Sequence, residues 1–141
     1  MIKGKWLIWI GLAALLAVGA IYQWKKNDAV RSREQLEQRV SEYYEALRVN
    51  DFQTIYALES GSVNGSLTPD QAYKGNPTGV RILSYKSEIA ELNGDFAKVK
   101  ISTKITFPEI NGKEIVGGES SEAWVRIKGS WYHDTPVKPQ P

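Results

Sequence analysis

The spacing of hydrophobic positions changes twice along the chain, and each change predicts a different kind of element. Residues 6–24 are apolar without a clear period and carry no charge. From Ser32 the apolar positions recur at a helical spacing, and from Val80 they alternate with polar positions, as in strands with one buried face. This order predicts an apolar N-terminal helix followed by a domain of the α+β class, with helices against one face of an antiparallel sheet.

The apolar segment has the length of a transmembrane helix. It contains 19 residues from Trp6 to Trp24, and as a helix it extends about 28 Å, close to the hydrocarbon thickness of a bilayer. Trp6 and Trp9 at one end, with Tyr22 and Trp24 at the other, are the aromatic residues typical of the two membrane interfaces. We therefore predict a transmembrane anchor over residues 1–26.

Two alternatives to an uncleaved anchor remain open. Lys3 and Lys5 before the apolar run, with small residues at 18–20, also fit a cleaved signal peptide. The third possibility is a buried helix of a soluble domain. Lys25 and Lys26 after the span favour a cytoplasmic domain, whereas a basic start that feeds an apolar run is typical of export. We expect a single-pass protein of the bacterial inner membrane with its domain outside the cytoplasm.

Three domain helices are predicted after a short tether at 27–32. The first has one buried stripe, formed by Leu36, Val40, Tyr43 or Tyr44, and Leu47. Asn50-Asp51 can cap a second helix that ends near Gly61, and residues 60–67 are expected to be a loop. Thr68 and Pro69 have the residue types of the cap and first position of a third helix.

Four strands are predicted in the second half of the domain. In the first two, the inward residues are odd-numbered, from Leu83 to Ile89 and from Ala97 to Phe107. Matching odd to odd positions requires an odd-length turn, so we predict a three-residue turn at 92–94 with Gly94 left-handed. Glu88 then faces Lys98.

The third strand is predicted to place Ala123, Val125 and Ile127 inside. A two-residue loop that pairs Ile110 with Lys113 would turn these three residues outward. One extra residue in the third strand would turn them inward again, and we predict it as a bulge at 117–118. The last turn covers 128–130, before a strand that ends at Asp134. The domain therefore occupies residues 33–134, and the proline-rich tail at 135–141 is expected to be extended.

Composition and charge exclude several classes of function. The chain has 18 Lys and Arg against 16 Asp and Glu, but four lysines flank the apolar segment, and the rest of the chain is slightly acidic. This balance does not favour nucleic acid binding. Cysteine is absent and histidine occurs once, so no metal site or cofactor is predicted.

Few residues are candidates for a catalytic or ligand-binding role. His133 is a weak candidate for an acid or base, since a histidine at a strand end is more often structural. Tyr43, Tyr85 and Thr103 are polar groups expected inside, where they would either orient a small ligand or satisfy one another's hydrogen bonds. No carboxylate is predicted to point inward with them, because Glu122 and the other strand acids fall on the wet face or in turns.

The outer sheet face is predicted to be an interaction surface. It combines an exposed Trp124 with Lys98, Lys100 and Arg126. An exposed tryptophan on a strand suggests self-association or docking to another protein. The alternative is an ordinary solvated sheet face.

The order of elements resembles the nuclear transport factor 2-like superfamily. The resemblance rests on VSEYYEALRVNDFQTIYALES, residues 40–60, and on EAWVRIKGSWYHD, residues 122–134. It implies a cone of curved sheet closed by N-terminal helices, a fold that hosts isomerases, dehydratases, hydrolases and noncatalytic domains. The bitopic assembly component of type IV secretion systems is similar, since it places such a domain after one N-terminal span as a scaffold.

These features together predict a noncatalytic accessory or scaffold subunit that docks to larger membrane-protein partners. Its partners would be the lipid bilayer, subunits of a membrane complex and, through the outer sheet face, a second copy. The alternative is a small-molecule binding protein or an enzyme of isomerase or hydrolase type that uses the cone interior. A filled interior favours the scaffold, and an open polar pocket that reaches His133 favours the enzyme.

Overall fold

A computed structural model of the chain describes residues 3–75, 79–107 and 114–134. Within these ranges the helices and strands follow one another as predicted for an α+β protein. The four strands form one antiparallel sheet in chain order, and the sheet is curled into a half-barrel. The elements are α1 (Lys3–Val49), α2 (Phe52–Ala57), α3 (Ser60–Asn64), α4 (Pro69–Gly75), β1 (Arg81–Asn93), β2 (Phe96–Thr106), β3 (Glu114–Ile127) and β4 (Ser130–His133).

The chain divides into two compact units, residues 1–34 and 35–141. In the first unit the backbone is helical from Lys3 onward, and the predicted tether at 27–32 is helical as well. Its apolar side chains are exposed from Leu16 to Val30. Among the residues that the structure describes, no helix was found to be long and apolar enough to cross a membrane.

In the second unit, the last four turns of α1 supply one wall of the core. Leu36, Val40, Tyr43 and Tyr44 are buried, which confirms the predicted stripe, and Leu47 packs at its margin. Each buried side chain of this kind contributes roughly 1.5–3 kcal/mol of hydrophobic stabilisation. The sheet supplies the opposite wall with Ala97, Val99, Ile101, Trp124 and Trp131.

The helix ends follow the predicted capping chemistry in two cases and differ in one. The Asp51 carboxylate accepts a hydrogen bond from Thr54 N at 3.2 Å, which caps α2. The Thr68 hydroxyl accepts one from Gln71 N at 3.3 Å before α4 opens at Pro69. The expected loop at 60–67 instead begins with the short helix α3, which ends at Gly65 in the left-handed conformation.

The β1–β2 pairing keeps only part of the predicted facing and uses a different turn. Tyr85 and Ile89 pack against the core as predicted, but Leu83 is exposed, and Ile82 and Leu92 pack there instead. Odd positions oppose odd positions, as in Tyr85 with Thr103. The turn has two residues rather than three, Gly94 is left-handed as predicted, and a register shift at Ala90 provides the change of parity. As a consequence Glu88 lies opposite Lys100, not Lys98.

The β2–β3 pairing contains the predicted bulge. The register shifts where Thr103 faces Gly117 and Gly118. A Cβ atom on Gly117 would lie 2.5 Å from Thr103 Oγ1 and 3.0 Å from its carbonyl oxygen, whereas a Cβ on Gly118 would meet nothing within 4 Å. The two backbones therefore approach so closely that position 117 excludes any side chain. The predicted loop around Asn111 lies outside the described residues.

The register beside the β2–β3 loop differs from the predicted one, and this difference reverses the predicted facing of β3. Next to the loop the strands pair Thr106 with Glu114, a register that the proposed two-residue loop does not give. From that starting register, the predicted bulge at 117–118 turns Glu122 and Trp124 inward, opposite Val99 and Ala97. The predictions that Ala123, Val125 and Ile127 line the core and that Trp124 is exposed are both wrong, because Trp124 is 0% exposed.

The β3–β4 turn holds the last strand against the same core. Ile127 pairs with Ser130, so the turn consists of Lys128 and Gly129, both with positive φ, rather than of the three predicted residues 128–130. This turn places His133 directly opposite Trp124. The tail at 135–141 lies outside the described residues.

Gly117→Ala should destabilise the domain by about 1–3 kcal/mol, as overpacking in a close contact does. Gly118→Ala, which adds a methyl group to open space on the adjacent residue, should change the free energy of unfolding by about 0.5 kcal/mol or less. Urea unfolding of both variants measures the difference. Equal effects would contradict the close approach of Thr103 to Gly117.

Candidate functional site

Several buried or partly buried polar groups of the domain meet around His133. We call Tyr43, Tyr44, Glu59, Glu122 and His133 the His133 cluster. They come from α1, from the link between α2 and α3, and from β3 and β4. Residues far apart in the sequence therefore meet at the point where the last strand returns to the helices.

Glu59 is held in place by backbone contacts to the last strand. It is extended, at φ −84° and ψ 136°, and forms an isolated parallel bridge with His133. His133 N donates to Leu58 O at 2.8 Å, which fixes the strand against the end of α2. The side chain of Glu59 is consequently buried, with 5% of the residue exposed.

The Glu59 carboxylate binds two donors. Tyr43 Oη donates to Glu59 Oε1 at 2.6 Å. His133 Nδ1 lies 3.0 and 3.1 Å from the two carboxylate oxygens. Because a carboxylate only accepts, Nδ1 carries the proton of this hydrogen bond. The Tyr43 ring also stacks on the imidazole, with ring centres 4.7 Å apart.

Glu122 approaches the imidazole from the other side. Tyr44 Oη donates to Glu122 Oε1. The second oxygen, Oε2, is 3.7 Å from His133 Nε2, a distance for charge attraction rather than a hydrogen bond. Within the described part of the chain Oε2 is buried without a hydrogen-bond partner.

This arrangement favours a charged histidine between neutral phenols. Burial lowers the pKa of His133, but the hydrogen bond and charge of Glu59, with the charges of Glu122 and Asp134, outweigh burial and raise that pKa above its usual value. Burial, followed by the charge and hydrogen bond of Glu59, raises the pKa of Tyr43 far above the ordinary range. Burial and Glu122 do the same to the pKa of Tyr44. The tyrosines therefore act as neutral donors.

The cluster has the components of an acid–base site, but most of its groups bind one another. Both phenols and the carboxylate of Glu59 are occupied by internal hydrogen bonds. Trp124 closes one side, with its ring centre 5.5 Å from that of the imidazole. Such a saturated network stabilises one relative arrangement of helices and sheet.

The residues predicted to bind a ligand are divided by the fold. Tyr43 belongs to the His133 cluster. The Tyr85 hydroxyl lies 3.0 Å from Ser41 Oγ, and its ring centre is 5.1 Å from that of Tyr44. Thr103 stands opposite Tyr85 in the sheet and contacts the glycine bulge. The structure therefore places Tyr85 and Thr103 side by side, and Tyr43 apart from them with His133.

Trp124, the central residue of the predicted interaction surface, does not lie on the outer face of the sheet. Trp124 is buried, and Arg126 is only 22% exposed, with its Nε donating to Asp95 Oδ1 at 2.7 Å and its guanidinium over the Trp131 ring. Lys98 and Lys100 are exposed, as predicted, and Lys98 pairs with Glu91 at 3.2 Å. The self-association predicted through Trp124 therefore cannot use that side chain, which is buried.

Among the described residues, two surface cavities lie away from the His133 cluster. One of about 350 Å³ is lined by Gln35, Gln38 and the β3–β4 turn. The other, of about 620 Å³, lies on the outer sheet face between Lys86 and Glu119. Neither is lined by a residue of the His133 cluster.

Sequence reasoning missed both carboxylates of the cluster. Glu122 was missed because the register of β3 was predicted wrongly. One signal pointed to the correct register: a two-residue turn at Lys128 and Gly129 places both Trp124 and Trp131 on one face of the sheet. Two tryptophans on one face indicate the buried face more strongly than alanine and valine do. Glu59 had no such signal, because its burial depends on a backbone bridge to His133.

The comparisons with known proteins give information on the fold and none on the function. No protein-family model matches the chain, and no curated protein matches it. A solved structure, that of a SEC-C motif containing protein from Psychrobacter arcticus, is similar with a TM-score of 0.51 and 16% sequence identity. The match covers 75% of this chain and 62% of that one.

The raised pKa of His133 predicts that stability falls as the pH rises. Its charged form is stabilised in the folded state, so the contribution is complete below the unfolded pKa of about 6.5 and is lost as the pH passes the higher folded pKa. His133 is the only histidine and cysteine is absent. Other side chains therefore contribute little to the slope in this window.

Urea unfolding of the full chain in mild detergent between pH 6 and pH 9 measures this dependence. His133→Gln should be less stable than the wild type at pH 6 and should lose most of the slope. A slope that persists in His133→Gln, or stability that rises with pH in the wild type, would show that Glu59 and Glu122 do not hold an imidazolium.

Proposed function

We propose that this chain is a noncatalytic single-pass membrane subunit whose α+β domain docks to larger membrane-protein partners. The observation that carries the proposal is the run of exposed apolar side chains in α1. Leu16, Val18, Ile21, Tyr22 and Trp24 are each at least 55% exposed. Large apolar groups that are exposed in succession along a helix are costly in water and suit a lipid environment.

The sequence extends this run to the length of a bilayer. Residues 6–15 continue it toward the N-terminus without a charge, so the helix from Trp6 to Trp24 matches a hydrocarbon core of about 30 Å. Tyr22 and Trp24, 67% and 70% exposed, stand where an interfacial aromatic belt is expected. Trp6 and Trp9 form the other predicted belt, and their side chains lie outside the described residues.

The domain interior supports a scaffold over an enzyme. Tyr43, Tyr44 and Ile101 are buried in the space where a cone-shaped fold would hold a ligand. The polar groups near His133 bind one another, and neither of the two surface cavities described above is lined by them. These are the features expected of a domain that works through its surface, as in the scaffold relatives of the nuclear transport factor 2-like superfamily that the sequence resembles.

We place the protein in a bacterial inner membrane with its domain outside the cytoplasm. Lys3 and Lys5, directly before the apolar segment, support this orientation, because basic residues beside a span favour its cytoplasmic side. Only residues 25–34 separate that segment from the domain in the sequence, so partners embedded in the same membrane are within its reach. Purification in mild detergent after crosslinking, with identification of the captured membrane proteins, would name them.

The anchor predicts that the full chain remains in the membrane after an alkaline carbonate wash. Leu16→Lys combined with Val18→Lys should release much of it, since a charged residue near the centre of a span costs about 2.5–3.5 kcal/mol. Leu16→Ile with Val18→Leu is the matched control and should remain bound. A wild-type chain that washes off, or a mature protein that begins at Ile21, would refute the anchor.

A further inference from the structure

The outer edge of β1 is a long strand edge that no described strand covers. The sheet order is β1-β2-β3-β4, so β1 and β4 are its edges. β4 has only four residues and is bridged to Glu59. β1 has 13 residues and a mostly exposed surface. An uncovered edge of this length presents unpaired backbone donors and acceptors to any suitable strand.

The centre of β1 is regular enough to pair with another strand. Register shifts occur at Leu83 and Ala90, and the six residues between them pair with β2 without interruption. Six residues extend about 20 Å. The shifts confine any pairing to this stretch, because a bulge twists the edge on either side of it.

The sequence of this stretch is complementary to itself in the antiparallel direction. With a two-fold axis at Ser87, Lys86 of one copy lies opposite Glu88 of the other, and Tyr85 lies opposite Ile89. Lys86, Ser87 and Glu88 are exposed. Each dimer then contains two oppositely charged cross-strand pairs and two aromatic–aliphatic pairs, the combinations that stabilise antiparallel strands.

Neighbouring registers lack this complementarity. An axis at Lys86 or at Glu88 places two like charges opposite each other. An axis midway between Lys86 and Ser87 pairs Tyr85 with Glu88. The core-facing side chains of one strand then lie opposite the solvent-facing side chains of the other. The axis at Ser87 alone keeps the faces aligned and the charges opposed.

We propose that two copies of this chain associate through β1, centred on Ser87, to form one continuous eight-stranded antiparallel sheet. The association is isologous, as expected for a two-fold homodimer. It replaces the tryptophan-based contact that the sequence suggested, and it does not depend on the membrane anchor. The occupant of the edge is a second copy because the charge pattern of Lys86 and Glu88 matches itself.

Charge reversal tests the proposed register. In the full chain in mild detergent, Lys86→Glu alone or Glu88→Lys alone places like charges opposite each other twice per dimer and should raise the dissociation constant about tenfold. Mixing the two variants restores both attractive pairs and should restore the dimer. Lys104→Glu, the same change on the exposed face of β2, is the matched control and should keep the wild-type mass in sedimentation.

A cysteine crosslink tests the position of the axis with the charges intact. The chain has no cysteine, so Ser87→Cys introduces a single thiol directly opposite its own copy, within disulfide range. Mild oxidation should give a covalent dimer, whereas Ser121→Cys, exposed on the inner strand β3, should give much less. A monomeric wild type, a Lys86→Glu variant of unchanged mass, mixed charge variants that do not re-form the dimer, or equal crosslinking at both positions would each overturn the proposal.

Discussion

The close approach of Thr103 to Gly117 fixes the register on which the rest of the domain depends. Because a Cβ at Gly117 would collide with Thr103, the two backbones meet only where glycine stands. The shift at this point decides which face of β3 points inward. Without it, Glu122 and Trp124 would face solvent, and the core would lose one of its two buried tryptophans together with one of the three carboxylates whose charges act on His133.

The inward face of β3 then allows a charged histidine in a largely enclosed position. An imidazolium in a largely apolar interior is unfavourable unless opposite charges and hydrogen bonds accompany it. Glu59 supplies both, Glu122 adds charge from the other side, and the two tyrosines satisfy one oxygen of each carboxylate. The cluster thus fastens α1, the α2–α3 link and both C-terminal strands to one another, which supports a structural role for groups that resemble an acid–base site.

Local patterns predicted most of the elements, but the contacts between them less well. The stripe from Leu36 to Tyr44, the caps at Asp51 and Thr68 and the bulge at 117–118 follow from residue spacing and type alone, and all are present. Which face of β3 is buried depends on a loop whose length cannot be read from the sequence. An error of one residue there predicts Ala123 in the core in place of Trp124. The burial of Glu59 depends on a contact with a strand more than 70 residues away, which no local period records.

The same register reasoning connects the interior to the proposed interface. The strand that contributes least to the core, β1, is the one with an uncovered edge, and only Ile82, Tyr85, Ile89 and Leu92 of its residues pack against the buried cluster. Tyr85 and Ile89 bound the self-complementary stretch, so the residues that hold β1 to the core also fix the orientation of its exposed charges. A strand held on one side in this way presents Lys86 and Glu88 in a defined geometry. Such preorganisation lowers the entropy cost of pairing with a second copy.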